Sequence, residues 1–493
     1  MRNKSLLLVT TAAALLLSPI SSQTVTKIVD HGPDGQRLVF AVLGDGYQGG
    51  EQKKFAADVS ALLTEGMLKR DFYLEHAKAF NVYRVDIVSK DSGVSTPTRM
   101  KDTALKVIFS GDWNRCWVEE STQTDQLINN ALLSLPKYDF VLVMANEPNY
   151  GGCRRGSRLY VTSGDQWDVL AHEYGHAIGN LYDEYSVQGM GSYMGTTINS
   201  RNCTTMTDST RIIWRDLVGS QTQIPTIFDN SMDPQSFVGA FEGCSTFEKH
   251  VYRPAFDCRM RSNTPIFCPI CRASMELAVS PYMAAAQSSG HLSIEQRNPG
   301  ASEVLLSKGA TSFLAQNTQP RTPPPPAHPT EPQQYLSLVV RVKRDGSSTV
   351  IKQSLVSGPP ILRQQGSSDF AYALSQGTKT VSTEFLPEDP FVVRGFADPK
   401  NGHGEKYERA DEATIVIKVP AQQAKAFDSG KISLQIVKIN PDALVSNFNG
   451  INLSSAILDQ LKARKALTTT VDVTSKRLAA AVRENAKATA AIK

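Results

Sequence analysis

Apolar runs alternate with amphipathic segments in the first part of the chain. Three runs have the length and side-chain content of buried strands, at residues 38–43, 80–88 and 138–144. Between them, residues 51–68 and 122–135 repeat apolar positions with helical spacing. Because strands alternate with helices, the pattern predicts an α/β (α+β) domain with a mostly parallel sheet.

The hydrophobic pattern changes after residue 334. Short segments with alternating, β-branched residues follow one another without helices between them, at 336–342, 350–352, 414–419 and 432–439. Asp345-Gly346 separates the first two segments and predicts a hairpin turn. We therefore expect a β-sandwich-like domain over 335–445, followed by a helical and polar C-terminal tail over 446–493.

A proline-rich stretch divides the two patterns. Seven prolines occur in PRTPPPPAHPTEP, residues 320–332, and such a run favours extended polyproline II structure. We interpret residues 291–334 as a semi-rigid linker, with one domain at 23–290 before it.

The first 22 residues have the three-part pattern of a secretory signal peptide. Arg2 and Lys4 are positive, residues 6–17 are apolar, and a short polar exit ends near Ser22. The apolar run is shorter than the ~20 residues that cross a bilayer, so we expect no stable membrane span. The pattern predicts a secreted protein, extracellular or periplasmic, in which cysteines meet an oxidising environment.

Charge and motif content narrow the function. Lys and Arg number 52 against 48 Asp and Glu, and this near balance argues against a nucleic-acid partner. The sequence has neither a GxxxxGK[ST] phosphate loop nor a GxSxG nucleophile elbow. The sequence therefore offers no motif for phosphate-loop nucleotide binding or for serine-hydrolase catalysis.

The segment DQWDVLAHEYGHAIGNLYDEY, residues 165–185, carries candidate metal chemistry. It predicts a helix over 166–178 that ends at Gly179. His172 and His176 are four residues apart, so their imidazoles project from one helix face and can bind one zinc ion. Glu173 adjoins the first ligand, where a carboxylate acts as general base on water.

This helix resembles the signature of the IgA-protease-like family of zinc metallopeptidases. Further segments match the family in order across residues 35–280: LGDGY, FNVYRVDIVSKDSG, NYGG, WRDLV, VGAFEG, YRP, CRMR and FCPICR. The resemblance implies a zincin or metzincin-like fold, one catalytic Zn²⁺ and a peptidase activity on protein or peptide substrates.

The third zinc ligand is less directly indicated. In the broader pattern HExxHxxGxxH, the third ligand position is Tyr182 here, and tyrosine is not an equivalent ligand. Oxygen donors follow directly, so Asp183 is our choice, with Glu184 as the alternative. A distant glutamate, as in another large group of zincins, is a third possibility.

The resemblance also implies a methionine turn at Cys258-Arg259-Met260, in which Met260 packs beneath the histidines. All seven cysteines lie in the first 271 residues. Disulfides are favoured over a second zinc site or a redox motif at Cys268–Cys271, with Cys258 bonded to Cys268 or Cys271 and Cys116 bonded to Cys153. Sequence alone does not fix these pairs.

The leading functional hypothesis is a secreted zinc-dependent endopeptidase with Glu173 as general base, in which the peptide lies along an edge strand before the helix. The alternative is a secreted binding or adhesion protein that keeps an inert zincin domain. In either case, the C-terminal domain is a candidate for surface or glycan contact. Fold alone does not identify the substrate.

Overall fold

The computed structural model describes residues 23–288 and 334–482. Gaps fall at 110–117, 120, 150–151, 156–157, 165–166, 196–197, 199 and 264–265 in the first range. In the second range they fall at 359, 362–369, 387–388, 396–406, 421–431, 441–452, 454 and 477. The expected signal peptide (1–22) and residues 291–333 of the expected linker lie outside the described residues.

The strands before residue 254 are, in chain order, β1 (Thr24–Val29), β2 (Leu38–Asp45), β3 (Phe80–Asp86), β4 (Ile108–Phe109), β5 (Val118–Glu119), β6 (Phe140–Ala145), β7 (Gly152–Arg155), β8 (Arg158–Thr162), β9 (Phe241–Cys244) and β10 (Phe247–Arg253). Those after residue 333 are β11 (Gln334–Lys343), β12 (Ser348–Ser357), β13 (Phe370–Gln376), β14 (Lys379–Phe385), β15 (Val392–Gly395), β16 (Tyr407–Arg409), β17 (Glu412–Pro420), β18 (Ile432–Ile439) and β19 (Leu467–Ser475). The α-helices are α1 (Gln52–Val59), α2 (Asp71–Glu75), α3 (Thr122–Ala131), α4 (Trp167–Gly179), α5 (Arg259–Ser262), α6 (Pro269–Ser288) and α7 (Ser455–Ala463).

One sheet organises the first part, with strand order β1-β3-β2-β6-β8-β7-β15-β16. Strands β3, β2, β6 and β8 pair in parallel, which confirms the expected α/β layer. Strand β7 precedes α4 and runs antiparallel to β8. It is not the free edge that we expected for peptide binding, because β15 pairs antiparallel with its other side.

Helix α4 packs on one face of this sheet. The ring of Tyr174 lies 4.6 Å from Phe40 of β2 and 5.6 Å from Phe140 of β6, both in edge-on contacts. These rings belong to a core cluster that also includes side chains of α1 and α6. The hydrophobic face of α4 is thereby fixed on the sheet, which leaves the opposite face for the histidines.

The second part contains the sheets β12-β11-β17 and β14-β13-β18-β19, and side chains from both share a hydrophobic core. The expected helical and polar tail over 446–493 differs from the structure. It contains α7, but residues 467–475 form β19, which pairs with β18. The sequence LTTTVDVTS explains the strand, since six of its nine residues are β-branched and such residues suit a pleated sheet.

The two parts are in direct contact. Nζ of Lys352, on β12, donates hydrogen bonds to the carbonyl of Leu132, at 2.7 Å, and to the carbonyl of Leu135. Both carbonyls lie just after α3, so these bonds connect β12 with the C-terminal end of that helix. Val339 of β11 belongs to the same core cluster as Ile128 of α3. Within the part of the chain that the structure describes, none of the helices has the length and apolar character that a bilayer crossing needs.

Candidate metal centre

Helix α4 brings three candidate side chains to one place. The imidazole rings of His172 and His176 lie 4.8 Å apart, and their Nε2 atoms are 3.1 Å apart. Glu173 offers a carboxylate oxygen that lies within 4.8 Å of the histidine ligand atoms. All three side chains are buried, because α4 is covered by the sheet on one side and by the segment after β10 on the other.

The end of α4 turns the chain back toward the histidines. The helix ends at Gly179, as the sequence predicts, and Asn180 takes the left-handed conformation with φ of 52°. Asn tolerates this conformation better than most residues other than glycine. The turn brings the carbonyl of Leu181 to 2.6 Å from Nδ1 of His176 and places Asp183 beside both histidines.

Backbone carbonyls fix the proton position on both imidazoles. Nδ1 of His172 lies 2.8 Å from the carbonyl of Arg259, and Nδ1 of His176 is bonded to that of Leu181. A carbonyl only accepts, so each Nδ1 must carry the hydrogen and donate it. Each Nε2 of a neutral ring then presents a lone pair toward the other, which is the usual arrangement of metal-binding histidines.

Asp183 completes a set of three ligand atoms. Its Oδ1 lies 3.0 Å from Nε2 of His172 and 3.2 Å from Nε2 of His176. Tetrahedral ligands at ~2.0–2.1 Å from zinc are separated by roughly 3.3 Å. The three lone-pair atoms therefore converge at the spacing of a zinc site, and these residues fit the metal that the sequence implies.

The charges of the site favour an ionised Asp183. Burial alone would raise the pKa of this carboxyl, but the charge of His176 and the hydrogen bonds with His172 and His176 hold the pKa well below its ordinary value. Burial lowers the pKa of His172, yet the contacts with Asp183 and the charge of Glu173 outweigh it and raise that pKa. The site is thus an anionic pocket that favours a positive charge among the three ligand atoms.

Glu173 faces a basic side chain that sequence reasoning missed. Oε2 of Glu173 lies 3.9 Å from Nε of Arg154, and both side chains are at most 2% exposed. Arg154 lies on β7, which is separated from α4 along the chain by β8. The pair Arg154-Arg155 matches no chemical motif, so no local pattern indicates that one of them is buried beside Glu173.

Met260 packs against α4 at Gly175, which lies between the two histidines in the sequence. A Cβ atom at Gly175 would lie 2.6 Å from Sδ of Met260 and 3.1 Å from the ring of Phe267. Glycine at this position therefore lets the methionine turn approach the helix. The carbonyl of Met260 also accepts the backbone N–H of Glu184 at 2.7 Å, which ties the turn to the segment after α4.

The cysteines are arranged differently from the expected pairs. Cys203 and Cys244 form a disulfide, and the sulfur of Cys244 lies 3.3 Å from the carbonyl oxygen of Asp183. The expected bond from Cys258 to Cys268 or Cys271 is wrong. All three are buried thiols that gather around Glu184. The expected Cys116–Cys153 pair lies outside the described side chains.

A family model described as IgA Peptidase M64 matches residues 26–234 and 230–279, which together span just over half of the 493 residues. The matched region contains α4, Asp183, the methionine turn and the first turns of α6. No curated protein matches the chain significantly.

Proposed function

Because the chain belongs to the IgA peptidase M64 family, we propose that it is a secreted zinc-dependent endopeptidase that cleaves peptide bonds of protein substrates. The observation that carries this proposal is the convergence of His172, His176 and Asp183, whose ligand atoms lie 3.0–3.2 Å apart beside a buried glutamate.

His172, His176 and Asp183 would hold the zinc ion. The carbonyls of Arg259 and Leu181 keep the two imidazoles in the tautomer that leaves Nε2 available. When bound, zinc supplies Lewis-acid polarisation of the scissile carbonyl and makes a water molecule more acidic.

Glu173 acts as general base and then as general acid. Its carboxylate takes a proton from the attacking water and later passes that proton to the leaving amine. Its place next to His172 on α4 and its burial support this role, because a fixed carboxylate needs no reorganisation during the reaction. Arg154 lies 3.9 Å away on β7, where its positive charge faces the carboxylate.

The fold of the first part supports a zincin or metzincin-like architecture. Four parallel strands are followed by the antiparallel strand β7, and the histidine helix packs on this sheet. The two sheets that share a core after residue 333 support a β-sandwich. Export is supported by the pattern of residues 1–22 and by the Cys203–Cys244 disulfide, since disulfides persist in oxidising compartments.

The alternative of an inert binding module gains no support from the family match. Purified full-length protein incubated with a peptide library, with and without a chelator, distinguishes the two functions. We expect cleavage that the chelator stops and that added zinc restores. Bound zinc without cleavage of any peptide would contradict the proposal and favour the binding protein.

A further inference from the structure

A second buried cluster lies next to the candidate metal centre. It consists of Glu184, Cys258, Cys268 and Cys271, whose ligand atoms all lie within 4.8 Å of one another. None of the four side chains is more than 1% exposed. Three chain segments meet here: the exit from α4, the residue before α5, and the start of α6.

The thiols of this cluster lie close to the carboxylate of Glu184. Sγ of Cys271 lies 2.8 Å from Oε1 of Glu184, and Sγ of Cys268 lies 4.0 Å from the same oxygen. The backbone N–H of Cys268 donates to Sγ of Cys258 at 3.2 Å. Such N–H···S bonds are outer-shell contacts of the kind that orient metal ligands.

The carboxylate of Glu184 is only partly hydrogen-bonded in this pocket. Its Oε1 accepts from Nδ2 of Asn202 at 3.0 Å, whereas its buried Oε2 has no hydrogen-bond partner among the described residues. A carboxylate oxygen that is buried without a partner is costly, and a cation removes that cost. The buried Arg253 also interacts with the Glu184 charge, which offsets part of the negative charge of the cluster.

The sequence spacing fits a structural site. Cys268 and Cys271 form a CxxC pair around Pro269, where α6 begins, and Cys258 precedes them by ten residues. A structural zinc needs four ligands, and no second CxxC occurs in the sequence. The structure supplies the fourth ligand as the carboxylate of Glu184.

We propose that Cys258, Cys268, Cys271 and Glu184 bind a second, structural zinc ion. Each thiol that binds gives up one proton to solvent. The four protein ligands fill a tetrahedral shell and leave no position for water, so this site does no chemistry. It is distinct from the catalytic site and does not depend on the peptidase activity proposed above.

The second site would position the first. Glu184 follows Asp183 directly, and Cys258 precedes Arg259, whose carbonyl accepts the Nδ1 proton of His172. An ion bound to Glu184 and Cys258 would therefore fix one catalytic ligand and the orientation of another. Cys268 and Cys271 would connect the start of α6 to the same ion, and through it to Glu184 and Cys258.

Metal content and cobalt spectroscopy test this proposal on the full chain. We expect two zinc ions per wild-type chain. After replacement of zinc by Co²⁺, thiolate ligands give a near-ultraviolet sulfur-to-cobalt charge-transfer band, which histidine and aspartate ligands do not give. His172→Ala/His176→Ala should retain one ion and the whole band. Cys268→Ser/Cys271→Ser should lose the band, while Cys203→Ser/Cys244→Ser should keep it.

A measurement on unmodified protein guards against variants that fail to fold. In wild-type protein purified without reductant, Cys258, Cys268 and Cys271 should resist alkylation until a chelator removes the metal, and then all three should react. A disulfide between any two of them, or a cobalt form without the charge-transfer band, would overturn the proposal. If the histidine site bound no metal, the metal content would fall to one ion per chain, but the charge-transfer band and the chelator-dependent alkylation would be unchanged.

Discussion

Asp183 and Glu184 are consecutive residues whose carboxylates contact two different clusters. Oδ1 of Asp183 lies 3.0 Å from Nε2 of His172, whereas Oε1 of Glu184 lies 2.8 Å from Sγ of Cys271. The backbone between them is held by the Met260 carbonyl, which accepts the N–H of Glu184, and is bordered by the Cys203–Cys244 disulfide. A single dipeptide therefore connects the candidate metal centre with the cysteine cluster.

This division predicts different effects of two neighbouring substitutions. Asp183→Ala should weaken metal binding at the histidine site by more than the ~10–100-fold that is typical for loss of an outer-shell partner. Glu184→Gln should weaken metal binding by the cysteines, and should weaken binding at the histidine site less than Asp183→Ala does, because it removes none of that site's ligand atoms. Competition with a coloured chelator measures both affinities. Full zinc occupancy at the histidine site of Asp183→Ala would rule out Asp183 as a ligand.

The turn after α4 predicts a backbone effect at Asn180, whose φ is 52°. Asn180→Gly should be tolerated, because glycine adopts this conformation without strain. Asn180→Val should cost about 1–2 kcal/mol of unfolding free energy relative to the glycine variant. It should also weaken metal binding, since the Leu181 carbonyl that orients His176 would move. Denaturant titration and metal competition on the matched pair check this, and equal behaviour would contradict it.

The disulfide predicts a stability that depends on oxidation. Cys203 and Cys244 are 41 residues apart, and their disulfide reduces the number of conformations that the unfolded chain can adopt. Cys203→Ser/Cys244→Ser should lower the unfolding free energy by about 2–4 kcal/mol. Wild-type protein in reductant should lose a similar amount, whereas the double variant should not respond to reductant at the same metal content. If the unfolding midpoint of wild-type protein did not change with reductant, the Cys203–Cys244 disulfide would be contradicted.

Asp45 predicts a pH dependence of stability. Its carboxylate accepts the backbone N–H of Leu105 at 2.8 Å and that of Val107 at 3.2 Å, but burial still raises its pKa from 3.8 to about 6. The native state then binds more protons than the unfolded state between these values, so this group makes stability fall as pH rises through about 6.

The size of this pH effect on stability follows from how far burial raises the pKa of Asp45. Relative to Asp45→Asn, wild-type protein should lose about 2–2.5 kcal/mol of unfolding free energy between about pH 4 and about pH 8, because the unfolded-state carboxyl is already partly ionised at pH 4. Denaturant titrations of both proteins at the two pH values measure the difference directly. A stability difference that does not change with pH would show that Asp45 is not perturbed by burial in this way.

Local sequence was sufficient for the parts of the site that lie on one helix. His172, Glu173 and His176 are placed by helical spacing alone, and Gly179 marks the helix end within the same segment. The choice of Asp183 over Glu184 rested on ligand type. What separates them physically is a tertiary contact, because Cys271 is 87 residues from Glu184.

Contacts over long sequence separations account for what the sequence did not predict. The Arg259 carbonyl that orients His172 belongs to the backbone, which leaves no side-chain signal. The pairing of β15 with β7 joins residues that are more than 230 positions apart, so no local pattern indicates it. The Cys203–Cys244 bond likewise depends on which loops meet, since spacing does not determine disulfide connectivity.

The most direct measurement of the central claim compares Glu173→Gln with wild-type protein for zinc content and peptide hydrolysis. Zinc content should be unchanged, whereas kcat should fall by about 10²–10⁴-fold, because the variant keeps the shape of the side chain and loses the base. Glu75→Gln, at a half-exposed residue paired with Arg272, serves as the matched control and should keep full activity. If Glu173→Gln hydrolysed peptides with the kcat of wild-type protein at equal zinc content, the role of Glu173 as general base would be contradicted.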